Sequence, residues 1–82
     1  MAIAVRLSTT LRSFVPDYNP TLGLSLDFRG ETTANDLAQS LNLPLTEIKI
    51  VIVNGRRVDL KTLIQDGDRV AFFPAVGGGL SS

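Results

Sequence analysis

Residues 48–58, IKIVIVNGRRV, constrain the fold more than any other stretch of this chain. From Ile48 to Val53 nearly every position is apolar and β-branched, the composition that suits a pleated surface and not a solvated one. Ile48, Ile50 and Ile52 point to one side, and Lys49, Val51 and Val53 to the other. A strand apolar on both faces is a central strand with material on either side. Asn54-Gly55 follows it directly. Both residues tolerate positive φ, so the pair specifies a two-residue hairpin of the primed type. Val58 restarts a short return strand. A chain committed to this hairpin has to supply further strands beside it and a layer to cover it.

The remaining segments supply them. Residues 2–7, AIAVRL, alternate with Ile3, Val5 and Leu7 on one face, the period of a half-buried strand. LSLDF, residues 24–28, repeats that pattern with Leu24, Leu26 and Phe28. The connection between them carries Pro16, Pro20 and Gly23 and reads as a loop, with Phe14 or Tyr18 folding back over an edge of the core. GETTANDLAQSLNLP, residues 30–44, predicts a helix with Thr33 as N-cap, Asp36 in the first turn and Pro44 as the stop. Ala34, Leu37, Ala38 and Leu41 form its apolar stripe. So short a helix needs a sheet to lie on. Asp66-Gly67-Asp68 predicts a turn, and RVAFFP, ending at Pro74, a final central strand with Val70 and Phe72 opposite Ala71 and Phe73.

Strand, loop, strand, helix, strand, hairpin strand and final strand make an α+β chain: a β-grasp arrangement, with one main helix packed on one face of a mixed sheet of four or five strands. Residues 1–75 are expected to form that domain, and 76–82 a flexible Gly-rich tail. With Ile48, Ile50 and Ile52 turned to the helix, Val51, Val53, Ala71 and Phe73 are left on the far face. Either the long loop or the 58–64 segment covers part of that face, or these residues are scattered surface apolars, or the face docks another protein.

Composition narrows the chemistry. The 82 residues contain no Cys and no His, which removes disulfides, thiolate and imidazole metal ligands, and every Ser-His or Cys-His arrangement. Eight basic residues balance eight acidic ones, so no nucleic-acid partner is expected from charge. The one adjacent basic pair, Arg56-Arg57, reads as a solvated turn. No apolar run has the length of a membrane span, and the first ten residues lack a signal-peptide pattern, so the expected location is cytoplasmic with no membrane partner.

At residues 63–79, LIQDGDRVAFFPAVGGG, the chain resembles the ubiquitin-related sulfur carriers of the MoaD/ThiS family. The shared features are an acidic-Gly-Asp turn, an apolar strand, Phe-Phe-Pro, and a Val ahead of Gly-Gly; VIVNGRRV resembles the family's central strand and turn. The resemblance is closest to the molybdopterin synthase small subunit. It implies a carrier with no side-chain catalysis of its own and no bound cofactor. In this register Gly78 and Gly79 are the reactive end, and Phe73, Ala71, Val51, Val53, Pro74, Val76 and Gly77 are the partner-binding set. By the same resemblance, a ThiF/MoeB-type adenylating enzyme, using ATP and Mg²⁺, is expected to convert the Gly79 carboxylate to an acyl-adenylate. The resemblance implies that sulfur transfer then makes a thiocarboxylate, which donates sulfur to a synthase resembling the molybdopterin synthase large subunit. Three residues, Leu80, Ser81 and Ser82, follow Gly79, so the chemistry requires a processing peptidase cutting between Gly79 and Leu80. Two other functions fit a β-grasp chain: a binding module with an inert tail, and a protein modifier joined through Gly79 to target lysines.

Overall fold

The computed structural model describes residues 2–74. Its strands are β1 (Ala2–Leu7), β2 (Leu24–Asp27), β3 (Thr32–Thr33), β4 (Ile48–Val53), β5 (Arg56–Val58), β6 (Leu63–Ile64) and β7 (Arg69–Pro74), and its helix α1 spans Ala34–Ser40. Five strands form one mixed sheet in the order β2-β1-β7-β4-β5, and β3 pairs with β6 in a separate two-stranded ladder. The long central strands flank each other: β1 runs parallel to β7, and every other pairing is antiparallel. This is the β-grasp expected from the element order, in the ubiquitin-like form that the resemblance implies.

Helix α1 begins where the residue types require. Thr33 keeps extended backbone and its Oγ1 accepts from the Asp36 N–H at 3.1 Å, while Asp36 Oδ2 accepts from the Thr33 N–H at 3.0 Å. That reciprocal pair is a capping box, which satisfies two donors the first turn leaves unbonded. The helix ends earlier than Pro44. Asn42 takes a left-handed φ of 60°, the Leu43 N–H donates to Ala38 C=O at 2.9 Å, and the Asn42 N–H donates to Gln39 C=O at 3.0 Å. Those two bonds are a Schellman closure, with Leu43 buried beside Ala38 as its apolar contact. Leu41 is therefore a half-buried cap outside the helical stripe.

The core lies between the helix and one face of the sheet. Ile3, Val5 and Leu7 from β1, Val70 and Phe72 from β7, and Ala34, Leu37 and Ala38 from α1 are all essentially inaccessible. The connection from β1 to β2 contributes more than a loop does. Residues Thr9–Phe14 form a 3₁₀ helix that drives Leu11 into the core at 0% exposure. Of the two aromatics expected to fold back, Tyr18 packs on the core, and Phe14 stays exposed. Gly23 closes the connection at φ +73°, where a Cβ would sit 2.8 Å from the Val5 carbonyl oxygen, so only glycine passes that crossing.

The phase of β4 is opposite to the expectation. Val51 and Val53 are buried in the core, 3% and 9% exposed, while Ile50 and Ile52 lie on the far face. Pairing with β7 decides this. Antiparallel partners share a face, and Val51 pairs with Phe72 and Val53 with Val70, both core residues. A register shift between Ile48 and Ile50 then puts Ile48 opposite Pro74, back against the core. The extra residue, Lys49, is what a β-bulge inserts.

Candidate functional site

The face of the sheet turned away from α1 is the candidate docking surface. Alternation on β7 puts Arg69, Ala71 and Phe73 there, since Val70, Phe72 and Pro74 are buried. Alternation on β1 adds Ala2, Ala4 and Arg6. The register then aligns a row across four strands: Arg6 beside Ala71, Ala71 beside Ile52, and Ile52 beside Arg57. One step toward the end of β7, Phe73 pairs with Ile50. Phe73 is 37% exposed, and Ala71, Ile50 and Ile52 are partly exposed. The centre of this face is thus apolar and its flanks are arginine.

Two shallow grooves cross the surface. One of about 270 Å³ runs between Ala4, Arg6, Leu22, Ile52 and Arg69, with Leu22 projecting from the 8–23 connection. The other, about 200 Å³, lies toward the end of β7 between Arg6, Ser8, Arg12, Tyr18 and Phe73. A larger depression of about 700 Å³ runs along the β4–β5 edge, where Arg57 borders it together with Lys49, Asp59 and Thr62.

Hydrogen bonds pin both ends of the surface. At the β7 end, the Leu7 N–H donates to Tyr18 Oη and Arg12 Nε donates to Leu7 C=O, each at 2.9 Å. The Arg12 guanidinium lies 5.7 Å from the centre of the Tyr18 ring, within cation–π range. The Ser8 N–H reaches Phe72 C=O at 3.1 Å. At the opposite end, Asn54, with φ 52° in the expected turn, donates from Nδ2 to Asp68 Oδ1 at 2.8 Å and accepts the Arg69 N–H on Oδ1 at 2.9 Å. Asp68 Oδ2 accepts the Gln65 N–H, and the Ala2 N–H donates to Asp66 Oδ1. The Asp66-Gly67-Asp68 turn therefore locks β1, β4 and β7 together at the start of the last strand.

Of the partner-binding set expected from sequence, Ala71 and Phe73 lie on this face. Val51 and Val53 do not: they are core residues, and Ile50 and Ile52 take the surface positions assigned to them. Pro74 is buried against the core side instead of facing outward. Val76, Gly77, Gly78, Gly79 and Leu80, and the tail from residue 76, lie outside the described residues. Arg6 and Arg57 were not among the expected contacts. A two-residue turn at 54–55 forces 52 to pair with 57, so the shared face of Ile52 and Arg57 follows from the turn type alone. Which face that is does not. Among the described residues no helix is long and apolar enough to cross a membrane.

Comparison with known proteins agrees with this architecture. The model of a family described as Mut7-C ubiquitin matches residues 1–77. The crystal structure of SAMP1 from Haloferax volcanii superposes with a TM-score of 0.68 at 21% identity, covering 96% of this chain and all of that one. In the protein–protein complex of subunits 1 and 2 of molybdopterin-converting factor from Helicobacter pylori 26695, one chain superposes with a TM-score of 0.57 at 20% identity, again over 96% of this chain and 100% of that chain. No curated protein matches at a significant level.

Proposed function

The chain belongs to the Mut7-C ubiquitin family, and on that premise we propose that it is a ubiquitin-like sulfur carrier whose C-terminal glycine is the reactive group. The observation that carries this reading is one of position. The strand that supplies Ala71 and Phe73 to the apolar face ends at Pro74, and Gly78 and Gly79 follow four and five residues on. A partner held on that face has the diglycine within reach, because an extended stretch from Pro74 to Gly79 spans up to about 20 Å. Glycines add no Cβ to the thread and let nucleotide or backbone groups approach the carbonyl closely.

A peptidase hydrolyses the Gly79–Leu80 bond and frees the carboxylate. That carboxylate attacks the α-phosphorus of Mg²⁺-bound ATP in a ThiF/MoeB-type partner, releasing pyrophosphate and leaving the Gly79 acyl-adenylate. A donor delivering sulfur at the oxidation level of hydrosulfide attacks the acyl carbon; AMP leaves, and the product is a thiocarboxylate. A sulfur-accepting synthase takes the sulfur in cofactor biosynthesis, with a molybdopterin-type acceptor as the first candidate. The Helicobacter pylori complex supports a synthase-like partner, since there a chain of the same fold is held by a second subunit. ATP and Mg²⁺ act in the partner, and no side chain of this protein is asked for nucleophilic or acid–base work.

The test uses chain ending at Gly79 and chain ending at Ser82, each incubated with the host's adenylating enzyme, ATP, Mg²⁺ and a sulfide donor. Intact mass is expected to show oxygen exchanged for sulfur only in the Gly79-terminated form. Failure of that form to gain sulfur, or intact Ser82 ends on every molecule isolated from the host, overturns the proposal. A second reading, conjugation through Gly79 to lysines, rests on the ubiquitin-like family. It predicts lysine-linked species of higher mass in the host, lost on deletion of Gly78-Gly79.

A further inference from the structure

The chain is electrically neutral overall, but the strand positions of its open face are not. In the row Arg6–Ala71–Ile52–Arg57, an arginine stands at each end of an apolar pair. Three strand spacings of about 4.8 Å separate the end residues, so their backbones are about 14 Å apart. Arg69 adds a third guanidinium one row back. The acidic residue at a strand position of this face, Asp27, pairs with Ala2 in the far corner, two rows from Arg6. At the strand positions of this face three arginines thus stand against one carboxylate, and Asp59 borders the edge depression beside Arg57.

We infer that this face takes a protein surface of complementary chemistry: an apolar protrusion that settles on Ala71 and Ile52, with carboxylates placed on both sides of it to meet Arg6 and Arg57. Guanidinium suits this task, because its fork of donors matches a carboxylate bidentately and sheds water more readily than an ammonium. Arg6 spends one donor on Thr21 C=O at 3.2 Å, which orients the side chain and leaves other N–H groups for a partner. An apolar centre within a charged rim is also the ordinary anatomy of a specific interface. A second copy of this chain fits badly: a face-to-face pair would set arginine rims against each other, and like charges opposed across an interface are costly. Single-stranded RNA fits less well than protein, since its bases need aromatic platforms and the row offers aliphatic side chains, with Phe73 the one aromatic at a strand position of the face.

The carrier reading enters only through the choice of probe, the host's adenylating enzyme. Calorimetric titration is run with wild type, R6E/R57E, the milder R6Q/R57Q, and K61E. Lys61 is exposed in the 59–62 turn, whose Leu60 and Thr62 carbonyls bond α1 on the other side of the sheet. Thermal melts confirm that each variant folds. R6E/R57E is expected to bind about 100-fold more weakly, R6Q/R57Q about 10-fold, and K61E within about threefold of wild type. Association of wild type slows as salt rises, and the double reversal loses that slope. R6E/R57E binding within threefold of wild type overturns the inference. So does an arginine-dependent affinity for oligouridylate with the enzyme unaffected, or a sedimentation-detected dimer that R6E/R57E dissolves. Sulfur loading of R6E/R57E at the wild-type rate leaves the carrier reading standing and removes this one. Arginine-dependent binding without loading of any form does the reverse, and absence of binding by wild type removes both.

Discussion

Phe72 and Phe73 are the same residue type, adjacent on one strand, and the structure assigns them opposite fates. Phe72 is 0% exposed in the core, and Phe73 is 37% exposed on the open face. Truncating Phe72 to alanine leaves a cavity enclosed on all sides, so both the transfer and the cavity penalties apply, about 3–5 kcal/mol. At Phe73 solvent fills the vacated space. Only the transfer term remains, scaled by the roughly two-thirds of the ring that is covered, about 1–2 kcal/mol. A domain of this size has total stability of about 4–12 kcal/mol, so the first change threatens the fold and the second does not. For 60–100 residues each kcal/mol moves the midpoint by about 4–8 °C. The gap between the two losses, about 2.5 kcal/mol at the centres of the ranges, should place F72A about 10–20 °C below F73A in thermal melts followed by circular dichroism, or show it unfolded at the outset. Urea titration should give the same order in midpoint with an unchanged slope for F73A. Equal midpoints for the two variants would mean that the faces of β7 are misassigned. The Val51–Phe72 and Ile50–Phe73 pairings, and the docking surface built on them, would then fall together.

Other expectations follow from single contacts. Asp36→Ala removes one half of the capping box and should cost about 1 kcal/mol in urea unfolding, while Gln39→Ala on the exposed side of α1 should be near neutral. Gly23 and Gly30 share φ +73°, but only Gly23 faces a backbone oxygen at 2.8 Å. Both alanine variants pay about 1 kcal/mol for the left-handed backbone, and Gly23→Ala should melt clearly lower. Equal losses would show that the crossing over Val5 is looser than 2.8 Å allows. Asn54→Ala gives up a residue suited to φ 52° and both side-chain bonds to the β7 turn, an expected loss of about 2 kcal/mol. Gly78→Ala should unfold like wild type yet fail to gain sulfur in the mass assay; full loading would remove the threading argument.

Much of this fold is written in local pattern. The Asn54-Gly55 turn, the Thr33 cap with Asp36, the Asp66-Gly67-Asp68 turn and the alternation of β1 and β7 each involve residues within a few positions of one another, and local sterics and hydrogen bonding decide them. Element order, and with it the β-grasp, follows from those signals. The candidate site was legible in part for the same reason: Ala71 and Phe73 alternate with buried neighbours whatever else the chain does.

Tertiary structure alone decided the phase of β4. Its two faces are Ile-rich and Val-rich, nearly equal in hydrophobicity, so alternation announces a strand without saying which side is inward. The choice is made by partners distant in sequence: Phe72 and Val70 face the helix, Val51 and Val53 pair with them, and a bulge at Lys49 brings Ile48 back to the core. Leu11 is a similar case, an isolated leucine among polar residues that becomes core once the 8–23 connection wraps over the end of the sheet. The arginine-flanked row also belongs to the fold, because Arg6, Ala71, Ile52 and Arg57 meet only when four strands fall into register. Periodicity is a property of one segment, whereas facing is a relation between segments, and relations of that kind are set by packing.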